Sequence, residues 1–184
     1  MPTDSSLRST REGRKCATES RRRSRHVRDV VIIFPEQDPD GSTPEWQHKL
    51  EASGLLVIDR EVPEGFPDVM SAIYAVNGFE VAPTVTISDS LPDASSQLDS
   101  EWSARTATYQ LTGIGTTFYV LAPVARGHEV GWIHVKDTIG SNLPSRIRAG
   151  TGRSDFLTMS EDGRVMCAVS TEEVETWIVV HQFP

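Results

Sequence analysis

The sequence lacks the features that mark membrane-spanning, secreted and disulfide-stapled proteins. Only Cys16 and Cys167 are cysteines among 184 residues, and neither belongs to a CxxC pair, so zinc-ribbon and thioredoxin-like motifs are excluded. No apolar run exceeds about six residues, whereas a membrane-spanning helix needs about 20. No apolar signal-peptide core follows the early arginines. Because two free thiols suit a reducing compartment, these absences together predict a cytoplasmic protein without membrane contact.

Motifs of nucleophilic and nucleotide chemistry are also missing. No GxSxG elbow occurs, and the segment 113–118 (GIGTTF) lacks the third glycine of a dinucleotide fingerprint. Gly150 and Gly152 are not followed by the Lys-Ser/Thr of a P-loop. Cys167 stands among apolar residues of a predicted strand, a buried and inert setting. No catalytic constellation or cofactor is therefore predicted, which favours a non-enzymatic protein.

The charges are distributed unevenly along the chain, whose net charge is −8. Residues 1–28 contain nine Lys or Arg against three Asp or Glu, a balance of +6, whereas residues 29–184 contain nine against twenty-three, a balance of −14. The Ser/Arg-rich stretch 1–28 is too poor in large apolar side chains to order itself. We expect it to be a disordered basic arm or the result of a start codon assigned too early. The acidic remainder repels nucleic acid, so such contact is expected only through the arginine cluster at 21–25.

The remaining residues, 29–184, predict a single α+β domain that begins with a strand at 29–34 and two short helices. Thr43 and Pro44 are typical of a helix start, which predicts a helix over 44–53. Pro67 opens a second helix that extends to 76, and a strand is expected between them at 55–59. The Ser/Asp-rich stretch 88–101 (SDSLPDASSQLDSE) predicts a mobile surface loop.

The second half of the chain is rich in strand-like segments, and a Gly/Ser/Arg loop is expected at 137–155. Residues 117–135 contain two apolar runs around a short polar break, which predicts a β-hairpin. Asp162-Gly163 predicts a second hairpin with a type I′ turn. Helices followed by strands predict an α+β fold with a mostly antiparallel sheet. The expected strands lie at 105–111, 117–123, 129–136, 156–160, 164–169 and 175–181.

His134 and His128, both in the 117–135 hairpin, are the candidate catalytic residues. Strand alternation places His134 on one face with Trp132 and Lys136. A histidine there can act as a general base or a metal ligand, or it can be a hydrogen-bonded histidine of the sheet. The sequence is compatible with both roles.

The residues around His134 can be compared with one known zinc-binding motif. The segment 129–137 (EVGWIHVKD) resembles the Gly-Trp-aromatic-His-x-His-Pro stretch of JAMM/MPN metalloproteases, which implies that His134 matches the first zinc ligand. Lys136 replaces the second histidine, and an ammonium group cannot donate electrons to zinc. The family's downstream Ser and Asp would fall at Pro144 and Ile147. Because one histidine alone does not make a zinc site, we predict no metal.

Arg146, Arg148 and Arg153 form the densest basic group of the acidic domain. Together with Gly150 and Gly152 they suggest a weak anion-binding loop. The alternative is a flexible loop whose arginines pair with nearby carboxylates.

The segment 54–79 resembles the opening of SMI1/KNR4-type (SUKH) immunity domains. The matching residues are Val62 and Pro63, then a helix, then Asn77 and Gly78. The tryptophan that usually precedes this stretch is absent at close range. The resemblance implies an acidic α+β protein that binds and neutralises a partner.

Two functional hypotheses follow from the sequence. The first is a non-enzymatic protein-binding or inhibitor/immunity-type module whose acidic surface recognises another protein, basic if the acidic core is the contact face. The second is an enzyme or a small-molecule or anion-binding domain with a pocket where His134 meets the arginine loop 146–153.

Overall fold

A computed structural model describes residues 43–77 and 81–184. Within these ranges the chain forms seven strands, five α-helices and one short 3₁₀ helix at Ala107–Tyr109. The predicted arm at 1–28 and the predicted strand at 29–34 lie outside the described residues. The helices and strands, in chain order, are α1 (Glu45–Ala52), β1 (Leu55–Asp59), α2 (Val69–Asn77), β2 (Val85–Ser88), α3 (Ala94–Thr106), β3 (Thr117–Leu121), α4 (Gly127–Val130), β4 (Trp132–Asp137), α5 (Leu143–Thr151), β5 (Phe156–Met159), β6 (Val165–Thr171) and β7 (Glu175–Gln182).

The described strands form one antiparallel sheet in the order β1-β4-β3-β5-β6-β7-β2. This confirms the predicted α+β class and the mostly antiparallel sheet. The predicted 117–135 hairpin is present as the β3–β4 pair, in which Tyr119 lies opposite His134. It is not the centre of the sheet, because β5 holds that position.

One face of the sheet carries most of the core. Helices α1, α3 and α5 cover this face, and their apolar side chains meet every second residue of the strands. On β4, for example, Ile133 and Val135 point into this core and are fully buried. Burying a large apolar side chain contributes roughly 1.5–3 kcal/mol, so this layer dominates the stability of the fold. Its largest fully buried members are Leu50, Leu55, Trp102, Leu111, Phe118, Ile133, Leu143, Ile147 and Phe156.

The opposite face of the sheet carries a smaller core under α2. Ala72 and Val76 of α2 pack over the sheet, and Phe66 lies edge-on to Trp132 with ring centroids 5.8 Å apart. The indole N–H of Trp132 donates to the Pro67 carbonyl at 2.9 Å, which ties the loop before α2 to β4. This face also carries His134.

The prediction of a mobile loop at 88–101 is wrong over most of its length, and the prediction of a strand at 105–111 is also wrong. Both stretches contribute to α3, which runs from Ala94 to Thr106. Leu98, Trp102 and Thr106 recur every four residues and form the buried stripe of this helix. The many Ser and Asp residues hid that stripe, although they lie mainly on the solvent side.

The loop predicted at 137–155 is also wrong in its middle, which forms α5. Leu143, Ile147 and Thr151 are four residues apart and buried, so the helical spacing was present in the sequence. The buried Asp99 carboxylate on α3 accepts a hydrogen bond from the Ser145 N–H at 3.0 Å and another from its hydroxyl at 2.6 Å. A side chain from another helix therefore caps the N-terminus of α5, which sequence windows cannot show.

The two predicted hairpins differ from expectation in their turns. The break in the first contains the short helix α4, so residues 129 and 130 are helical and β4 starts at Trp132. In the second, β5 and β6 pair as predicted, with Met159 opposite Met166. Among the residues of this turn only Gly163 has a positive φ, +70°, whereas a type I′ turn needs two such residues. The predicted type I′ geometry is therefore wrong.

Within the described ranges, no helix combines the length and the apolar character needed to cross a bilayer.

Candidate functional site

His134 lies on the α2 side of the sheet, between two carboxylates. Its Nδ1 is 3.4 Å from Asp59 Oδ2, and its Nε2 is 3.2 Å from Glu161 Oε1. Asp59 reaches this face because a register shift between Val57 and Asp59 sets it opposite His134. Glu161 comes from the β5–β6 turn, residues 160–164. Both ring nitrogens therefore face carboxylate oxygens, and in either neutral tautomer one of them can donate a hydrogen bond.

Tyr119 supports His134 from the neighbouring strand. The two rings stack with centroids 4.7 Å apart and planes 18° from parallel. The Tyr119 hydroxyl donates to the Glu61 carbonyl at 3.0 Å. Burial raises the pKa of Tyr119, and the negative charges of Asp59, Glu161 and Glu61 raise it further. The phenol therefore stays neutral, and it positions the imidazole.

Glu161 joins this cluster to an open cleft of about 620 Å³, which we call the acidic cleft. Residues of two segments, 107–117 and 160–165, line it. Glu161 Oε1 accepts a hydrogen bond from the Thr117 hydroxyl at 2.8 Å, in addition to facing His134. The carboxylate is thus held by two strands at the rim of the acidic cleft.

The lining of the acidic cleft is polar and carries negative charge. Hydroxyl groups come from several threonines, Ser160 and Tyr109, and carboxylates come from Glu161 and Asp162. No Lys or Arg is among the described residues that line it. Small-molecule sites commonly enclose about 300–1,000 Å³, so the acidic cleft is large enough for a ligand or for a side chain of a partner.

His128, the other candidate histidine, lies in α4 and not in a turn of the hairpin. Its ring is half exposed, and Nε2 is 3.8 Å from Glu129 Oε1. Glu129 also pairs with Arg126 at 2.7 Å. Among the contacts of the described residues, none joins His128 to His134, so the two do not form one site.

Arg146 has a structural role on the opposite face of the sheet from His134. Its Nη2 donates to Asp137 Oδ2 at 2.7 Å, and the Asp137 side chain is fully buried. Its other nitrogens donate to the carbonyls of Ser53 (2.5 Å) and Ser141 (2.6 Å). The guanidinium therefore ties α1, the end of β4 and α5 together and has few donors left for an external anion.

Arg148 and Arg153 are exposed, and neither lies beside His134 in the contacts of the described residues. Arg148 borders a pocket of only about 60 Å³, which Asp89 also lines. The backbone N–H of Arg153 donates to the Thr151 hydroxyl at 3.0 Å. The structure therefore brings together His134 and carboxylates, and it does not bring together His134 and the arginines of 146–153.

No group of three or more His, Cys, Asp or Glu side chains in the described ranges is arranged to hold a metal ion. Asp59 and Glu161 face opposite nitrogens of the His134 ring, so the two carboxylates do not converge on one point.

The sequence analysis identified His134 but missed Asp59, Tyr119 and Glu161. One signal was available, because pairing the two runs of the 117–135 hairpin places Tyr119 beside His134. The positions of Asp59 and Glu161 depend on a strand irregularity and on packing between non-adjacent strands, which no local pattern shows. Comparison of the chain with protein-family models, with curated proteins and with solved structures found no match.

Proposed function

We propose that the protein is a non-enzymatic protein-binding module of the inhibitor or immunity type, which recognises a basic partner protein with its acidic surface. The resemblance of 54–79 to SMI1/KNR4-type domains supports the same proposal. We also propose that the protein is cytoplasmic, since the free, buried thiol of Cys167 suits a reducing compartment.

The observation that carries this proposal is an excess of acidic over basic groups within the described residues. The described residues contain eighteen Asp or Glu against nine Lys or Arg. Several of the basic groups are already paired, since Lys49 and Arg105 each bridge to a glutamate on their own helix. Arg126, just before α4, bridges to Glu129. Arg146 is engaged with the buried Asp137. The remaining acidic surface attracts a basic partner and accelerates its association.

The state of the reactive side chains supports a non-enzymatic role. Both nitrogens of His134 face carboxylate oxygens, so the ring is engaged with side chains of the protein itself. The Tyr119 hydroxyl donates to a backbone carbonyl. Burial raises the pKa of the Cys167 thiol far above its ordinary value, which suppresses the nucleophilic thiolate.

A second candidate function is the binding of a small neutral or cationic molecule. The volume of the acidic cleft, about 620 Å³, favours it. Anionic ligands fit the acidic cleft poorly, because carboxylates and no described Lys or Arg line it. The arginine-dependent pocket expected from the sequence is thus replaced by a pocket of opposite charge.

Capture of the natural partner tests the proposal, provided that its charge and the salt dependence of binding are then measured. We expect a partner with a basic contact surface and a Kd that weakens at least about tenfold between roughly 50 and 300 mM NaCl. An acidic partner, or a Kd that does not change with salt, contradicts the proposal.

A further inference from the structure

We propose that the acidic cleft receives a lysine or arginine side chain from an extended segment of the partner protein and that Glu161 is the ion-pair acceptor. This inference rests on the proposed function and assigns it to a place on the surface. The juxtaposition that supports it is a fixed carboxylate at the mouth of a cleft whose described lining residues include no cation.

Glu161 is fixed in position, but only one of its two carboxylate oxygens is engaged. Its Oε1 accepts from the Thr117 hydroxyl and faces His134 Nε2. Among the described hydrogen bonds, none ends on Oε2, and 59% of the side chain is exposed. A carboxylate held on one oxygen loses little further entropy when the other oxygen binds a cation. Charge-assisted hydrogen bonds of this kind are about twice as strong as neutral ones.

Asp162 has a different task, although it also borders the acidic cleft. Its Oδ1 accepts from the Ser160 hydroxyl at 2.6 Å and from the Arg164 N–H at 3.1 Å. These hydrogen bonds, with the Ser160 hydroxyl first, lower the pKa of Asp162. The carboxylate therefore shapes the β5–β6 turn and stays ionised, and it adds a second negative charge beside Glu161.

The rest of the lining suits the stem and head of a basic side chain. Tyr109 provides an aromatic ring, and a cation over such a ring gains roughly 0.5–1 kcal/mol at an exposed site. Ile114 is 78% exposed beside the acidic cleft and offers apolar surface to an aliphatic stem. Hydroxyls of Thr108 and Thr112 are available acceptors in the same lining.

Binding of an N-acetylated, fluorescent hexalysine peptide to the full-length chain tests this inference. We compare Glu161→Gln with the matched control Glu173→Gln, which removes the same charge from the exposed β6–β7 turn at the other end of β6. Loss of one charge-assisted contact predicts about a tenfold weaker Kd for Glu161→Gln. We expect Glu173→Gln to change the Kd less than about twofold.

A second variant guards against a disturbed turn. Thr108→Lys places a lysine in the exposed lining and leaves the contacts of Glu161 untouched, so it should weaken peptide binding at least about tenfold by occupying the acidic cleft and repelling the peptide.

Two outcomes overturn the inference. Equal effects of Glu161→Gln and Glu173→Gln show diffuse attraction to the whole acidic surface, in which case the proposed function survives and the site does not. Butylammonium that binds as tightly as the peptide shows a small-cation site instead. Failure of the proposed function is distinguishable, since it appears as salt-independent binding of the natural partner.

Discussion

Replacing Arg146 with methionine tests whether this arginine holds the fold together or serves an anion site. The substitution keeps an apolar stem of similar length and removes three donated hydrogen bonds. They end on Asp137 Oδ2 and on the carbonyls of Ser53 and Ser141. We expect Arg146→Met to destabilise the protein strongly, because Asp137 is fully buried.

The magnitude follows from what remains in the buried site. Removing one partner of a buried ion pair typically costs about 3–5 kcal/mol. Asp137 keeps two backbone donors, Ile139 and Gly140, each 2.9 Å from Oδ1, which moderates that cost. Ser53 is also fully buried, and its carbonyl loses a donor, which adds to the cost. We therefore expect a loss of about 4 kcal/mol, a large share of the 5–15 kcal/mol that is typical for a domain.

Urea unfolding followed by tryptophan fluorescence measures this loss. For an m-value of about 2 kcal/mol/M, the midpoint should fall by about 2 M. The exposed Arg148 on the same helix is the matched control, and Arg148→Met should change stability by less than about 0.5 kcal/mol. Adding Asp137→Asn to Arg146→Met should restore about 1 kcal/mol or more, because it removes the uncompensated charge. A loss below about 1 kcal/mol for Arg146→Met refutes the structural role.

Three further predictions concern stability. Burial raises the pKa of Cys167 above its ordinary value of 9.0, so the thiol loses its proton at a lower pH in the unfolded chain than in the folded protein. The free energy of unfolding should therefore fall above about pH 9, by up to about 1.4 kcal/mol per pH unit. Chemical unfolding from pH 7 to 10.5 should show a shallower fall for Cys167→Ala, and an unchanged fall would show that Cys167 is not its cause. A Cβ at Gly140, where φ is +81°, would lie 2.1 Å from the Ile114 backbone nitrogen, whereas one at Gly152, where φ is +75°, meets nothing within 4 Å. The urea midpoint of Gly140→Ala should therefore be lower than that of Gly152→Ala, by an amount equivalent to at least about 1–3 kcal/mol. Equal midpoints would contradict the close approach of Gly140 to Ile114. Asp99→Ala removes the cap of α5 and should cost about 1–2 kcal/mol in the same assay, whereas a neutral effect rules out that capping role.

Much of the sheet was predictable, because strands with one or two buried faces leave a local pattern. The segments 55–59 and 175–181 match β1 and β7 closely. Most of their apolar residues are β-branched or aromatic, and both segments are bounded by polar turns. The helices α1 and α2 were also predictable from proline at or before the first turn.

Helices α3 and α5 were missed because their local composition is typical of loops. Each has a narrow buried stripe at a spacing of four residues among serines, arginines and glycine. Their stability comes from packing on the sheet and from one another, as in the contact of Asp99 with Ser145. Tertiary packing of this kind outweighs weak local propensity.

The candidate site was predictable only at its histidine. Sequence alternation placed His134 on one face of a strand, and the structure keeps it there, on the opposite face from Arg146 and Asp137. The expectation that it meets the arginine loop failed for a simple reason. The odd-numbered and even-numbered positions of β4 face opposite sides of the sheet, and Asp137, the partner of Arg146, is on the other side.

A two-dimensional ¹H–¹⁵N NMR titration of the full-length chain with the hexalysine peptide tests the central claim most directly. If a basic segment enters the acidic cleft at Glu161, shifts should be confined to 107–117 and 160–165, with a change in the His134 ring signals because that ring contacts Glu161. Shifts at the acidic β6–β7 turn, 172–174, that equal those of the acidic cleft would contradict the claim, as would an unchanged spectrum.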